Sequence, residues 1–414
     1  MKGKYRGRRQ FLKEGAALAG LAAGAGMIRS ASGQTVANSV GERVQALSYG
    51  VRSRFETTSR AGNTSTPLQD LMGIITPSGL HFTNSHLNGN ALPDFDPRQH
   101  RLLIQGMVDR PLIFTMEELK RLPSVSRICF IECSGNGSYV FRGTPKSPRR
   151  TKTAAEAYGA ISCTEWTGVS LSLLLREAGV QKGAKWFIGE GAEGVWMMSL
   201  PLEVADETIL AYGQNGEAIR PEQGYPLRLL IPGSPGDHNV KWLRRILVAA
   251  EPAMSMRDSG EGCYPRKDGR NTLFKPQMPV KSLITFPSGG QRLSPGFCEI
   301  SGIAWSGAAA VRRVEVSTDG GRSWNDAQLQ NPVLPKAWTR FRFPWTWTGE
   351  EAVLQSRATD ETGEAQPTLA DFAKVWGSTA EQWKESFNTP VIFFNPIQPW
   401  KVTREGSVEN AMFL

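Results

Sequence analysis

The stretch "CFIECSGNG", residues 129–137, reads as an apolar strand that stops at Cys133 and runs at once into Ser134, Gly135, Asn136 and Gly137. A thiol at a strand edge before a glycine-rich turn is presented to something. A lone thiolate is a soft ligand, suited to a metal centre that brings its other ligands with it, and coordination holds it deprotonated. A second stretch, "IPGSPGDHNVKWL" (Ile231 to Leu243), is a strand emptying into a Gly/Pro loop that ends in His238, Asn239 and Lys241. Exposed backbone N–H groups there, with Lys241 and the upstream Arg228, suit a phosphate or pterin head group. No Gly-Lys-Ser/Thr follows, so it is not a Walker loop. A third, "LHFTNSHLNG" (Leu80 to Gly89), sets polar groups after an aromatic. Singly, each reads as a surface loop, and Cys133 as a structural thiol. Their combination carries the chemistry.

Together these stretches resemble the sulfite oxidase family of molybdenum enzymes, over residues 80 to 395. The family's Cys-Ala-Gly-Asn motif, which supplies the one protein ligand to molybdenum, stands here as Cys133-Ser134-Gly135-Asn136. Its Phe-Thr-Arg-Asn-His stretch along the pterin matches Phe82, Thr83, Asn84, Ser85 and His86. Its Phe-Pro-Val-Arg strand matches Tyr225, Pro226, Leu227 and Arg228, and the His five before that Arg is Gln223. Its His-Val-Lys-Trp-Leu matches Asn239, Val240, Lys241, Trp242 and Leu243, and the active-site Tyr of its Ala-Tyr-x-x-Asn-Gly motif matches Tyr212. The resemblance implies Cys133 as metal ligand, Tyr212 as a catalytic group, and the others as residues holding one molybdenum–molybdopterin per chain.

Two departures bear on the substrate. Sulfite oxidases hold sulfite with arginines at positions occupied here by Asn84 and Ser138. Losing two guanidinium groups removes charge-assisted contacts worth roughly 1.5–3 kcal/mol each. That pattern resembles the molybdenum subunits of periplasmic sulfane dehydrogenases, whose substrate is a sulfane sulfur carried on a partner protein's cysteine. Oxidation of free sulfite is the alternative, with Arg142, Arg149 or Arg150 restoring the charge. No haem-attachment or iron–sulfur motif is present, so the resemblance implies a separate c-type cytochrome as electron acceptor.

The elements that must position these residues fall into two parts. From "GLHF" onward short strands alternate with helices: Thr115 and Glu118 at capping-box spacing open one helix, and Gly179 closes "SLSLLLREAGV". "YPLRLLIP" reads as a buried strand. This predicts an α+β domain over 80–270. After "PQMPV", short strand-length runs separated by Gly and Asp turns predict a β-sandwich over 271–395, similar to the family's immunoglobulin-like dimerisation domain. "STDGGRSW" within it is an Asp-Gly hairpin. Residues 35–79 read as an extended arm and 396–414 as a tail.

Formal net charge is +9, but residues 1–34 carry +6 of it, so nucleic acid is excluded as a partner by the +3 that remains. "RRQFLK" (Arg8 to Lys13) precedes an uncharged stretch, Ala16 to Ile28. It is too short for a bilayer, which needs about 20 helical residues. We read 1–34 as a twin-arginine signal peptide, which implies a periplasmic protein exported already folded around a cofactor. Five cysteines (Cys129, Cys133, Cys163, Cys263, Cys298) leave at least one outside any disulfide. The competing classes are a secreted β-sandwich binding module and a hydrolase; no Gly-x-Ser-x-Gly motif supports the latter.

Overall fold

The computed structural model describes residues 65–84, 92–137, 153–192, 196–255, 258, 277–385 and 393–412. The signal-peptide reading, Ser85, His86, Ser138, Arg142, Arg149, Arg150 and Cys263 lie outside them. The α+β part carries β1 (Arg101–Gly106), β2 (Leu112–Thr115), β3 (Ser124–Glu132), β4 (Ile161–Ser170) and β5 (Trp186–Gly191). They are followed by β6 (Met197–Pro201), β7 (Ile209–Gln214), β8 (Glu217–Ala218), β9 (Arg228–Leu230) and β10 (Leu243–Ala249). One sheet has the order β2-β1-β10-β5-β6, with β1 and β10 parallel. The other runs β3-β4-β7-β8, with β9 added to β7. The capping box at Thr115 and Glu118 starts the helix Met116–Lys120, and Gly179, at φ 73°, closes Leu171–Ala178, both as the sequence predicts.

The β-rich part consists of β11 (Lys281–Phe286), β12 (Gly296–Trp305), β13 (Val311–Ser317), β14 (Asn325–Asp326) and β15 (Gln328–Gln330), then β16 (Thr339–Trp347) and β17 (Ala352–Asp360). Two further strands, β18 (Trp400–Val402) and β19 (Val408–Asn410), complete it. Its sheets are β11-β12-β16-β15 and β14-β13-β17-β18-β19, and they enclose Trp305, Trp338, Phe341, Trp347 and Trp400. The expected hairpin joins β13 to β14, with Asp319 accepting from Ser323 and Ser317. The expected tail is corrected: β18 pairs with β17 and β19 with β18, and Trp400 is fully buried. The apolar face of so short a strand cannot be covered by water, so the segment completes the sheet. The arm is likewise packed down from residue 65: Thr66 and Thr76 donate backbone hydrogen bonds to Gly159 and Cys163, and Leu68 is buried.

Strand β3 shows how the two parts meet. Its first residues are exposed, whereas Cys129 to Glu132 are buried on both faces. Side chains alternate along a strand. Cys129 and Ile131 therefore face Phe82 and Trp166, while Phe130 joins Met278, Val280 and Trp305 of the sandwich. The same alternation sends Glu132 toward the sandwich and Cys133 toward Phe82. Glu132, fully buried, is held by Lys281 of β11, by Trp305 Nε1 at 2.7 Å and by Asn136 Nδ2 at 2.9 Å.

Removing one partner of a buried pair leaves an uncompensated charge, at a cost of about 3–5 kcal/mol. Lys281→Met is expected to lower the thermal unfolding midpoint steeply, and the double variant Lys281→Met with Glu132→Gln to recover most of the loss. Differential scanning calorimetry on the three proteins checks this.

Candidate functional site

Three chain segments converge where β3 ends. Cys133 N–H donates to Ala160 O at 2.9 Å, and Asn136 N–H to Cys133 O at 2.9 Å, closing a turn over Cys133 to Asn136. Asn136 Oδ1 accepts from Ala160 N–H, so this one side chain ties the turn to β4 and to Glu132. A parallel bridge between Glu132 and Pro235 brings in the loop after β9. Gly236 fits there because a Cβ would come within 3.1 Å of Glu132 O. From below, Phe393 N–H donates to Ser134 O at 2.8 Å, and Gly137, at φ 86°, leaves room for the Phe394 and Tyr158 rings.

The Cys133 sulfur is half-buried and receives hydrogen bonds from the Gly135 backbone and from Asn84 Nδ2, at 3.7 Å. Burial pushes the thiol up to about 11, with the Asp237 charge adding to the rise and the two donors opposing it. At neutral pH it is a thiol that two donors are already placed to receive as a thiolate. Cys129 and Cys163, by contrast, are deep in the strands, and burial raises both.

A row of polar groups runs away from the sulfur. Lys241 Nζ donates to Asn84 O at 3.0 Å and Glu222 O at 2.7 Å. Gln223 Nε2 donates to Phe82 O, and Arg228 Nη1 donates to Gln223 O and Oε1. The Arg228 guanidinium stacks on Trp166 at 5.3 Å. Burial lowers Arg228 to about 9 and Lys241 to about 7, the latter helped by Arg228. Arg228 Nε and His238 Nδ1 are buried and find no hydrogen-bond partner among the described residues. A buried guanidinium with an N–H left over, beside the partly buried Lys241, suits an anionic group with several acceptors.

The expected residues Phe82, Asn84, Cys133, Gln223, Arg228 and Lys241 thus form one connected set, and Thr83 lies between the first two. Three others do not join it. The ring of Tyr212 is near Lys120 Nζ at 5.9 Å and its hydroxyl bonds Ser124, the first residue of β3. Nine residues of strand, about 30 Å, separate Ser124 from Cys133. The Asn215-Gly216 turn, with φ of 50° and 77°, places that motif at the far hairpin. Asn239 uses both ends of its amide within its own loop, accepting from Ile231 N–H and donating to Pro235 O. Val240 is fully buried and packs against Gly189 and Gly191. Sequence reasoning passed over Glu132, a charge in an apolar run and so a signal of pairing, and over Trp196, whose Nε1 donates to Asp237 O at 2.8 Å.

Residues 89–257 match the family model described as an oxidoreductase molybdopterin binding domain, and residues 274–387 that of a Mo-co oxidoreductase dimerisation domain. Sulfite oxidase of Gallus gallus is 30% identical over 329 residues, covering 73% of this chain and 70% of that protein. Mitochondrial sulfite oxidase of Mus musculus is 30% identical over 338 residues, covering 75% of this chain and 61% of its own length. The crystal structure of the sulfane dehydrogenase SoxCD from Paracoccus pantotrophus matches with a TM-score of 0.79 and 36% identity, covering 92% of this chain and 95% of that one.

Cys133→Ser is expected to keep the unfolding midpoint within a few degrees while turnover falls to background, whereas Tyr212→Phe keeps turnover; steady-state assays with matched melting curves check both. For Lys241, the folded value lies below the ordinary 10.5. Between the two the unfolded chain binds the extra proton, so stability rises with pH, by at most roughly 1.4 kcal/mol per pH unit. Cofactor-free protein is expected to gain stability from pH 7 to 9, with a shallower slope in Lys241→Met, as read from denaturant midpoints.

Proposed function

Because the chain belongs to the sulfite oxidase family of molybdopterin oxidoreductases, enzymes acting on sulfur compounds, we propose that it oxidises a sulfane sulfur bound to a carrier protein and passes the electrons to a c-type cytochrome. The observation that carries this reading is Asn84: an amide, not a guanidinium, reaches toward the Cys133 sulfur. A small dianion finds no bidentate cation at that position, whereas a sulfur chain on a flexible protein arm needs none. The likeness to a sulfane dehydrogenase at 36% identity supports it.

The residues fit a molybdopterin. Cys133 holds the metal, with the Gly135 N–H and the Asn84 amide sharing the charge on its sulfur. Arg228, Lys241 and His238 would hold the anionic pterin and its phosphate, and the buried Arg228 Nε and His238 Nδ1, which find no partner among the described residues, are the observation behind that assignment. When bound, the group supplies a two-electron acceptor for adding one water oxygen to sulfur, with release of two protons and two electrons. Asn136, Glu132 and Ala160 fix the turn that carries the ligand. Twin-arginine export, a periplasmic location and a homodimer through the sandwich domain complete the proposal. A match to a dimerisation domain supports the last.

Metal analysis of the purified protein is expected to give molybdenum near one per chain. Steady-state kinetics are expected to give a kcat/KM for a persulfidated carrier protein far above that for sulfite, with Asn84→Arg narrowing the gap. Efficient oxidation of micromolar sulfite without a carrier would overturn the substrate assignment and leave a sulfite dehydrogenase.

A further inference from the structure

Asp237 is a carboxylate beside the Cys133 turn that no role so far described uses. It sits in the short turn Gly236–His238, seated against the end of β3 by the close approach of Gly236 to Glu132 O and Cys133 Cα. Trp196 fixes its backbone carbonyl at 2.8 Å. Its Oδ2 accepts from Ser134 Oγ at 3.4 Å, while Oδ1 is buried and has no hydrogen-bond partner among the described residues. The charge is near enough to Cys133 to raise its thiol. A carboxylate oxygen buried without a partner is costly, so its retention next to the metal-binding sulfur calls for a function.

We propose that Asp237 is a specificity-determining residue, whose carboxylate keeps small oxyanions away from the Cys133 centre and leaves room for sulfur presented as a neutral or S–H-donating chain. The inference rests on the substrate reading above and deepens it. Asn84 takes away a cation on one side of the sulfur, and Asp237 adds an anion on another. Discrimination between substrates is a difference of affinities, and a like charge set against the wrong ligand is one of the two ways to obtain it. Such a juxtaposition weakens the binding of a small anion, most where the charge is fixed and partly shielded from water.

The test uses the full-length, molybdenum-loaded enzyme and inorganic sulfate as the probe, because sulfate is an oxyanion that is not turned over. Its competitive inhibition constant is measured against whichever sulfur donor the enzyme oxidises. Asp237→Asn is expected to tighten sulfate inhibition by roughly tenfold or more, while Asp237→Glu, which keeps the charge, stays near wild type. Unchanged sulfate inhibition in Asp237→Asn at full molybdenum occupancy would overturn the proposal. So would loss of molybdenum and pterin from both variants, which would make Asp237 a cofactor ligand. If the wild-type enzyme proves to prefer sulfite, the substrate reading fails by itself, and the sulfate measurement still decides the role of Asp237.

Discussion

A carboxylate with no exposure to water must be answered by partners, and Glu132 is answered by three. Lys281 supplies the charge, Trp305 an indole N–H, and Asn136 an amide N–H. Two of them come from the sandwich and the third from the turn that bears Cys133. Satisfying one buried charge therefore fixes where β11 and β12 sit against the end of β3 and the shape of the Cys133 turn together. The pair is weak support for net stability, since burying both charges costs nearly what their attraction returns. Its effect is positional: displacing any member strands a charge, so the arrangement holds sharply.

Burial then sorts the charges around the sulfur. On the sandwich side of β3 the negative charge of Glu132 is neutralised locally. On the Phe82 side Arg228 and Lys241 donate to backbone carbonyls and the Gln223 amide oxygen, with no carboxylate in hydrogen-bond contact with them among the described residues. The alternation of one strand separates the two environments, one residue apart. Cys133 lies at their boundary, so a single-residue slip of β3 would exchange the Cys133 thiol for a buried acid.

Much of this was legible in the sequence because the signals were local. A thiol before Ser-Gly-Asn, a capping box at Thr115, a glycine after a short helix and an Asp-Gly hairpin each depend on a few adjacent residues, and each is found where it was read. What was not legible depends on pairing at long range. Tyr212 matched a motif, but the bulged pairing of β7 with β4 puts it at the opposite end of β3. Asn239 and Val240 matched another, yet their side chains close the loop whose backbone does the positioning. Trp400 looked like part of a tail because only the pairing of β18 with β17 reveals its partner.

The same long-range pairing links stability to the ligand. Arg228 and Lys241 are held in a low-dielectric interior by the β9 strand and the loop that Asn239 closes, and burial works against the charge of both. An anionic group bound there offsets the desolvation of both cations. Any group that binds the folded chain alone stabilises it by mass action, and here the gain includes the relief of two desolvated cations. The loop after β9 is bridged to Glu132 through Pro235, so the segment that holds Arg228 and Lys241 is in direct contact with the Cys133 turn and, through Lys281, with the first strand of the sandwich. A fold with separate cores and an exposed linker between them would lack that physical connection.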